Sequence, residues 1–299
     1  DAGEAVNNEI DSRSGLPIVS LYGNNKKPSP ESLKGLDLII YDLQDVGLRF
    51  YTYISTMHYV MESAAENKVP MLILDRPNPN GDYIDGPVLK KGFESFVGMH
   101  PIPVVHGLTV GELAQMINGE GWLKNKVKTE LEIIKVENWS REMAYSLPVK
   151  PSPNLPNDLS IRLYPSLCFF EGTDISVGRG TYYPFQVYGF PDAKYGEFSF
   201  KPVSIDGMSK NPPHQNKLCY GRDLRNEPLT HRFTLEYLLE AYQTSGKKEK
   251  FFNNFFDKLA GTDQLRKDIL AGKTEQEIRA TWQADLEKFK ELSKAYLLY

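Results

Sequence analysis

Two carboxylates, an amide and a guanidinium follow a short hydrophobic segment early in the chain: Asp42, Gln44, Asp45 and Arg49. Cleavage of a glycosidic bond needs a protonated acid and a second group that stabilises or captures an oxocarbenium-like centre. Asp42 and Asp45 are candidates for these catalytic roles, and Gln44 and Arg49 are candidate donors to sugar oxygens. The alternatives are an Asx turn that caps the next helix and, for Arg49, an ion pair with the neighbouring aspartates.

A second hydrophobic segment, residues 71–74, also runs directly into polar side chains. Asp75, Arg76 and Asn78 follow it, and we expect them to form a polar rim that binds substrate, although turn chemistry alone explains the asparagine. Asn154 is a further candidate sugar contact, because the prolines around it fix the local backbone. His106 is a candidate contact as well, although a histidine in a loop is more often structural than an acid or base.

The third candidate segment, residues 170–181, places charged side chains among glycines. Gly178 and Gly180 flank Arg179, so the backbone could approach a ligand closely there. The planar guanidinium matches a carboxylate bidentately, and a salt bridge to Glu171 or Asp174 is the alternative. Glu171 is either a second catalytic carboxylate or the counterion of Arg179, and Thr181 completes the candidate binding set. We expect this segment and residues 42–49 to face each other across one sugar-sized hollow.

The hydrophobic pattern predicts elements that bring the first two segments together. Residues 36–41 form a nearly continuous apolar run, which is typical of a parallel strand buried on both faces. From Phe50 the apolar positions recur at three and four, which predicts an amphipathic helix, and residues 71–74 predict the next strand. Thr109 and Glu112 form a capping box at the start of a later helix. Because ligands bind at the carboxyl edge of open α/β sheets, both polar segments should reach the same rim.

Composition and absent motifs exclude several classes of function. A net charge of -4 over 299 residues, without a cluster of Lys and Arg, argues against nucleic acid, and no apolar stretch is long enough to span a membrane. The sequence lacks the dinucleotide fingerprint, the Walker A motif, zinc-hydrolase histidine spacing and G-x-S-x-G, so we expect neither a cofactor nor a metal. Cys168 and Cys219 are expected to be two buried thiols rather than a disulfide.

Six ordered motifs resemble the NamZ-type exo-β-N-acetylmuramidases, a family long known only as a domain of unknown function. They are residues 42–53 (DLQDVGLRFYTY), 74–79 (LDRPNP), 105–114 (VHGLTVGELA), 151–156 (PSPNLP), 170–181 (FEGTDISVGRGT) and 296–299 (YLLY). The resemblance implies an exported enzyme that removes N-acetylmuramic acid from the non-reducing end of peptidoglycan fragments. It also implies that Arg179 binds the lactyl carboxylate of that sugar, and that one of the two aspartates could orient its N-acetyl group.

The resemblance also implies an α/β fold with a Rossmann-like, parallel-sheet N-terminal domain, residues 1–165, and a smaller α+β C-terminal domain, residues 166–299, that closes the cleft. In the family, a glutamate proposed as catalytic lies upstream of the motif that matches Asp1–Val6. We therefore expect a processed or truncated chain without its first strands or its leading carboxylate. A catalytically silent muropeptide-binding protein is the alternative function, and a nucleotide-sugar or dinucleotide enzyme is disfavoured by the missing glycine fingerprint.

Overall fold

The computed structural model of the protein describes residues 8–21, 23 and 25–299. The first seven residues of the predicted N-terminal domain, and the motif at Asp1–Val6, lie outside the described residues. The N-terminal half contains, in chain order, β1 (Glu9–Ile10), β2 (Pro17–Ile18), α1 (Pro30–Leu33), β3 (Ile39–Tyr41), α2 (Tyr53–Asn67), β4 (Met71–Leu74), α3 (Val110–Gly119) and β5 (Leu131–Ile134).

Strands β3, β4 and β5 form a parallel sheet in that order, which confirms the predicted parallel α/β arrangement. The α2 helix connects β3 to β4 as a βαβ unit. It begins at Tyr53 rather than Phe50, and Phe50 instead packs in the hydrophobic core. The capping box predicted at Thr109 and Glu112 is present at the start of α3. The carboxyl ends of β3 and β4 therefore deliver the two polar segments to one edge of the sheet.

The prediction that the first strand is buried on both faces is wrong for the described structure. Leu36, Leu38 and Ile40 are 47%, 44% and 58% exposed, and only Ile39–Tyr41 form the strand. Among the described strands β3 pairs with β4 alone, so it is an edge strand. A continuous apolar run records a preference for burial, but it does not show which face the rest of the fold covers.

The C-terminal half combines helices with a small antiparallel sheet, as predicted. Its sheet has the order β6–β8–β7, and both cysteines are buried and free, as the sequence analysis expected. The elements are α4 (Asp158–Leu167), β6 (Val187–Phe190), β7 (Phe198–Phe200), β8 (Cys219–Asp223), α5 (Glu236–Ser245), α6 (Phe256–Ala260), α7 (Gln264–Leu270), α8 (Glu275–Ala280) and α9 (Gln283–Ser293). No helix within residues 8–21, 23 and 25–299 is long and apolar enough to cross a membrane.

The two halves share their hydrophobic packing. The largest core cluster joins Leu48 and Phe50 from the segment after β3 to Phe169 and Phe256 from the C-terminal half. A second cluster packs around the parallel sheet and includes Phe289 of α9. The end of the chain thus returns to the N-terminal half, and the division at residue 165 stays a prediction.

Candidate active site

A small cavity lies at the carboxyl edge of the parallel sheet. Its volume is about 290 Å³, and Asp42, Gln44 and Arg76 are among its lining residues. The proline-fixed segment 148–151 forms another part of its wall and contributes Lys150. Three of the residues predicted from the sequence therefore meet at one concave surface, beside a cation that the sequence analysis did not single out.

Asp42 and Arg76 form an ion pair across this edge. Nε of Arg76 donates to Oδ1 of Asp42 at 2.8 Å, and Nη2 lies 2.5 Å from the same oxygen. Both side chains remain about 40% exposed or more, so solvent or a ligand can reach them. Gln44 also contributes to the local structure, because its amide donates to the backbone oxygens of Asp45 and Pro77.

Asp45, in contrast, is buried and is not among the residues that line the cavity. Its Oδ2 accepts a hydrogen bond from the backbone N–H of Gly47 at 2.6 Å, whereas Oδ1 has no partner among the described residues. Burial raises the pKa of Asp45 to about 7, although the backbone N–H groups of Gly47 and Val46 oppose the shift. Asp45 can consequently hold a proton at a pH where an exposed aspartate is ionised.

His106 lies beside Asp45, a contact that its distance in sequence conceals. Its Nδ1 accepts a hydrogen bond from the backbone N–H of Leu108, so in the neutral ring Nε2 carries the proton. Nε2 is 3.9 Å from Oδ2 of Asp45. Burial lowers the pKa of His106 to about 3, assisted by the positive charges of Arg141 and Arg49. At neutral pH His106 is thus an uncharged N–H donor and not a general base.

Arg49, which the sequence analysis placed in the binding set, lies in the protein interior. The side chain is fully buried, and its two Nη atoms donate to the backbone oxygens of Pro87, Ile102, Leu259 and Ala260 at 2.7 to 2.9 Å. Neither substrate binding nor an ion pair with the neighbouring aspartates describes these contacts. We therefore correct the assignment of Arg49 from a substrate contact to a structural one.

Asp75 and Asn78 are also occupied by the fold. Asp75 accepts hydrogen bonds from Oγ1 of Thr109, the backbone N–H of Gly111 and the hydroxyl of Tyr299 at 2.7 to 2.9 Å. Burial raises the pKa of Asp75, while these donors oppose the shift. Asn78 donates to the backbone oxygen of Leu108 and accepts from the N–H of Asn80. In this structure these two side chains hold loops and the start of α3 in place.

The glycine-flanked segment is organised around an ion pair. Nε of Arg179 lies 2.5 Å from Oε1 of Glu171, and both side chains are 25% exposed. The guanidinium also sits 5.0 Å above the ring of Phe185. Thr181 closes the turn by donating to the backbone oxygen of Gly178. The counterion alternative for Glu171 is therefore present in the structure, and a quarter of the Arg179 side chain still reaches solvent.

A row of aromatic rings connects this ion pair with the cavity. Tyr53 lines the cavity and contacts Tyr51 with ring centroids 5.0 Å apart; Tyr51 lies 6.4 Å from Tyr164, which lies 4.7 Å from Phe185. Arg179 is not among the residues that line the 290 Å³ cavity. The two polar segments therefore lie at opposite ends of one aromatic row rather than around the same described cavity.

Asn154 lies close to the proline-rich wall but faces protein. Its Nδ2 donates to the backbone oxygen of Met208 at 3.0 Å, and its buried Oδ1 has no partner among the described residues. Tyr51 reaches the same wall, because its hydroxyl donates to the backbone oxygen of Pro151. Lys150 lies between Pro148 and Pro151, which restrict the local backbone. This position is the sequence signal that could have revealed it as a cation held at a defined place.

Comparison with known proteins finds matches to one family along the chain. The family model described as "Exo-beta-N-acetylmuramidase NamZ, N-terminal" matches residues 1–159, and its C-terminal counterpart matches residues 162–299. The peptidoglycan β-N-acetylmuramidase NamZ of Bacillus subtilis (strain 168) is 39% identical over 318 residues, which cover 100% of this chain and 76% of that protein.

Two solved structures have the same fold. Both are crystal structures of DUF1343 family proteins from Bacteroides fragilis NCTC 9343, and each match covers 97% of this chain and 82% of the other. One has a TM-score of 0.92 at 50% identity, and the other a TM-score of 0.84 at 31% identity. By both family models and a relative that matches the whole of this chain, the chain belongs to the NamZ family of exo-β-N-acetylmuramidases.

Proposed function

We propose that this protein is a glycoside hydrolase that releases N-acetylmuramic acid from the non-reducing end of peptidoglycan fragments. The observation that carries the proposal is the similarity, over the whole of this chain, to a relative named as a peptidoglycan β-N-acetylmuramidase. The same similarity favours the hydrolase over the silent binding protein considered above. An exported location agrees with such a substrate and forms part of the proposal.

The cavity at the carboxyl edge of the parallel sheet is the proposed sugar site. At about 290 Å³ it is near the lower limit of typical ligand pockets, which suits one sugar ring better than several. Removal of a single terminal sugar requires a site of this kind. Tyr53 offers an aromatic surface in its wall, and Asp42, Gln44 and Arg76 offer groups that can bind hydroxyl and amide oxygens.

Asp42 is the proposed carboxylate next to the reacting carbon. It pairs with Arg76 at the cavity, and a carboxylate there would stabilise the positive charge that develops on the sugar. Asp45 and Glu171 are the other carboxylates that the sequence analysis proposed as catalytic. Asp45 holds a proton to about pH 7, so it can donate a hydrogen bond within the same turn.

Release of a chromogenic group from an N-acetylmuramide, compared with the matching N-acetylglucosaminide, tests the reaction. The 299-residue chain is assayed on both sugars. Preferential release from the muramide supports the proposal, and no release from the muramide refutes it. Asp42→Asn should lower kcat at least about 100-fold. Asp82→Asn is the matched control, because Asp82 is also partly exposed and paired with an arginine, Arg162, but does not line this cavity.

The lactyl carboxylate of the muramide should bind a cation, and two candidates are compared. Arg179 is the sequence-based candidate, while Lys150 lines the cavity itself. Loss of a charge-assisted hydrogen bond should weaken muramide binding by about 1.5–3 kcal/mol, roughly 10- to 100-fold in KM, and leave the glucosaminide unchanged. Arg179→Leu and Lys150→Leu are measured on both sugars. An equal loss on both sugars in the Arg179 variant removes the lactyl assignment of Arg179.

A further inference from the structure

Arg49 connects the segment that carries Asp42 and Asp45 with the C-terminal half of the molecule. One end of its guanidinium, Nη1, donates to the backbone oxygens of Pro87 and Ile102 at 2.7 and 2.9 Å. The other end, Nη2, donates to the backbone oxygens of Leu259 and Ala260 at 2.9 and 2.7 Å. A single side chain thus joins loops of the N-terminal half to the last residues of α6.

The surroundings of Arg49 fit a guanidinium closely. Leu259 and Ala260 are the final residues of α6, where carbonyl groups lack partners within a helix and a positive charge is favoured. Gly261 follows with φ +71°, and a Cβ there would lie 2.8 Å from Nη2 of Arg49. Burial lowers the pKa of Arg49 to about 9, so the guanidinium remains charged at neutral pH. The site is closed around one cation and its four carbonyl partners.

The α6 helix transmits this connection to Glu171 and Arg179. A Cβ on Gly172 would lie 2.4 Å from the Cα of Phe256, so the backbone that carries Glu171 rests directly on α6. The backbone N–H of Asn253 also donates to the oxygen of Gly172 at 2.9 Å. In addition to the aromatic row, a second path from the turn of Asp42 and Asp45 to the ion pair of Glu171 and Arg179 therefore runs through Arg49 and α6.

We propose that Arg49 is a positioning residue, which sets the spacing between the turn of Asp42 and Asp45 and the segment of Glu171 and Arg179. This inference rests on the proposed function, since Asp42 lines the proposed sugar site and Glu171 and Arg179 are the other candidate groups for the same reaction. Arg49 acts through other residues and does not touch substrate. A lysine cannot replace it, because one ammonium presents its donors at a single point and cannot reach carbonyls on two separate elements.

Two variants perturb the connection from opposite sides. Arg49→Lys keeps the charge and loses the fork, whereas Gly261→Ala keeps Arg49 and crowds its Nη2. Ile278→Val is the matched control. Ile278 is fully buried in the hydrophobic cluster that includes Leu259 and Ala260, and it is not among the partners of Arg49. Variants are compared at a temperature where circular dichroism shows each to be fully folded. If Arg49→Lys does not fold, Gly261→Ala carries the test alone.

A distance measurement gives a result that does not depend on catalysis. Leu43→Cys and Tyr182→Cys place spin labels on exposed positions next to the two segments, while the native cysteines are buried. The label-to-label distribution should be narrow in the otherwise unchanged protein. It should shift or broaden in Arg49→Lys and in Gly261→Ala but not in Ile278→Val. An unchanged distribution in the first two variants, or an equal change in the control, overturns the proposal.

Kinetics on the N-acetylmuramide, measured with the unlabelled protein and its unlabelled variants, complete the test. Misplacement of the catalytic groups should lower kcat about 10- to 100-fold in Arg49→Lys while KM changes less than about twofold. A rise in KM at constant kcat overturns the positioning role. If the unchanged protein releases no sugar but the distances still shift, the proposed function fails and the structural connection through Arg49 stands.

Discussion

Replacement of Asp45 by asparagine should remove the part of the pH dependence of stability that comes from this one residue. Asp45 is buried, and its pKa is about 7 against the ordinary value of 3.8. The folded state therefore binds this proton more tightly than the unfolded state, so the contribution of Asp45 to stability is greatest at low pH. It falls as the pH rises from about 4, and the loss is complete above about pH 7.

The size of the effect follows from the two pKa values. At pH 5 the folded protein keeps Asp45 protonated, while at pH 8 both states are ionised and the folded state contains a buried charge. Between these pH values the contribution of Asp45 to the free energy of unfolding should fall by about 2.5 kcal/mol. Asparagine does not titrate, and its side-chain oxygen can still accept the hydrogen bond from Gly47.

Urea unfolding of the parent protein and Asp45→Asn at pH 5 and pH 8 measures this difference. Other titrating groups contribute to both proteins and cancel in the comparison. The stability of the variant relative to the parent should rise by about 2.5 kcal/mol between pH 5 and pH 8. A difference between the two proteins that is the same at both pH values would show that Asp45 has an ordinary pKa, and would remove its role as a proton-holding group.

Two further predictions use the same part of the fold. Tyr299→Phe removes a hydroxyl that donates to Asp75 and accepts from the N–H of Val136, so the free energy of unfolding should fall by about 1–2 kcal/mol in a urea titration. Tyr182→Phe, at an exposed tyrosine, is the control, and an equal loss there contradicts the prediction. Because the pKa of His106 is about 3, His106→Asn should leave the shape of the kcat/KM profile above pH 5 unchanged. A limb that disappears in this variant would show that His106 titrates there.

Local sequence signals predicted the elements that lead to the site. The change from a continuous apolar run to helical spacing located β3 and α2, and the Thr109 and Glu112 pair located the start of α3. These signals involve residues a few positions apart, where backbone geometry fixes what each side chain can reach. The polar segments after β3 and β4 meet because the two strands are parallel neighbours. The βαβ pattern in the sequence already predicts that arrangement.

Long-range partners explain most of what the sequence did not reveal. The hydroxyl of Tyr299, 224 positions away, reaches Asp75, and the imidazole of His106 lies beside Asp45. Neither contact leaves a local pattern, because each depends on loops that meet only after the chain has folded. The exposed face of β3 is a similar case, since an apolar run does not state what packs against it.

The three arginines of the candidate site show why residue type alone does not assign a role. Arg49 donates to backbone carbonyls, Arg76 pairs with Asp42 at the cavity, and Arg179 pairs with Glu171 at the far end of the aromatic row. The sequence analysis placed all three in the candidate substrate-binding set. Backbone carbonyls are present in every segment and have no sequence signature, so only the fold shows that Arg49 is enclosed by them. Exposure then distinguishes Arg76 and Arg179 from Arg49, because a guanidinium can bind a ligand only if the ligand can reach it.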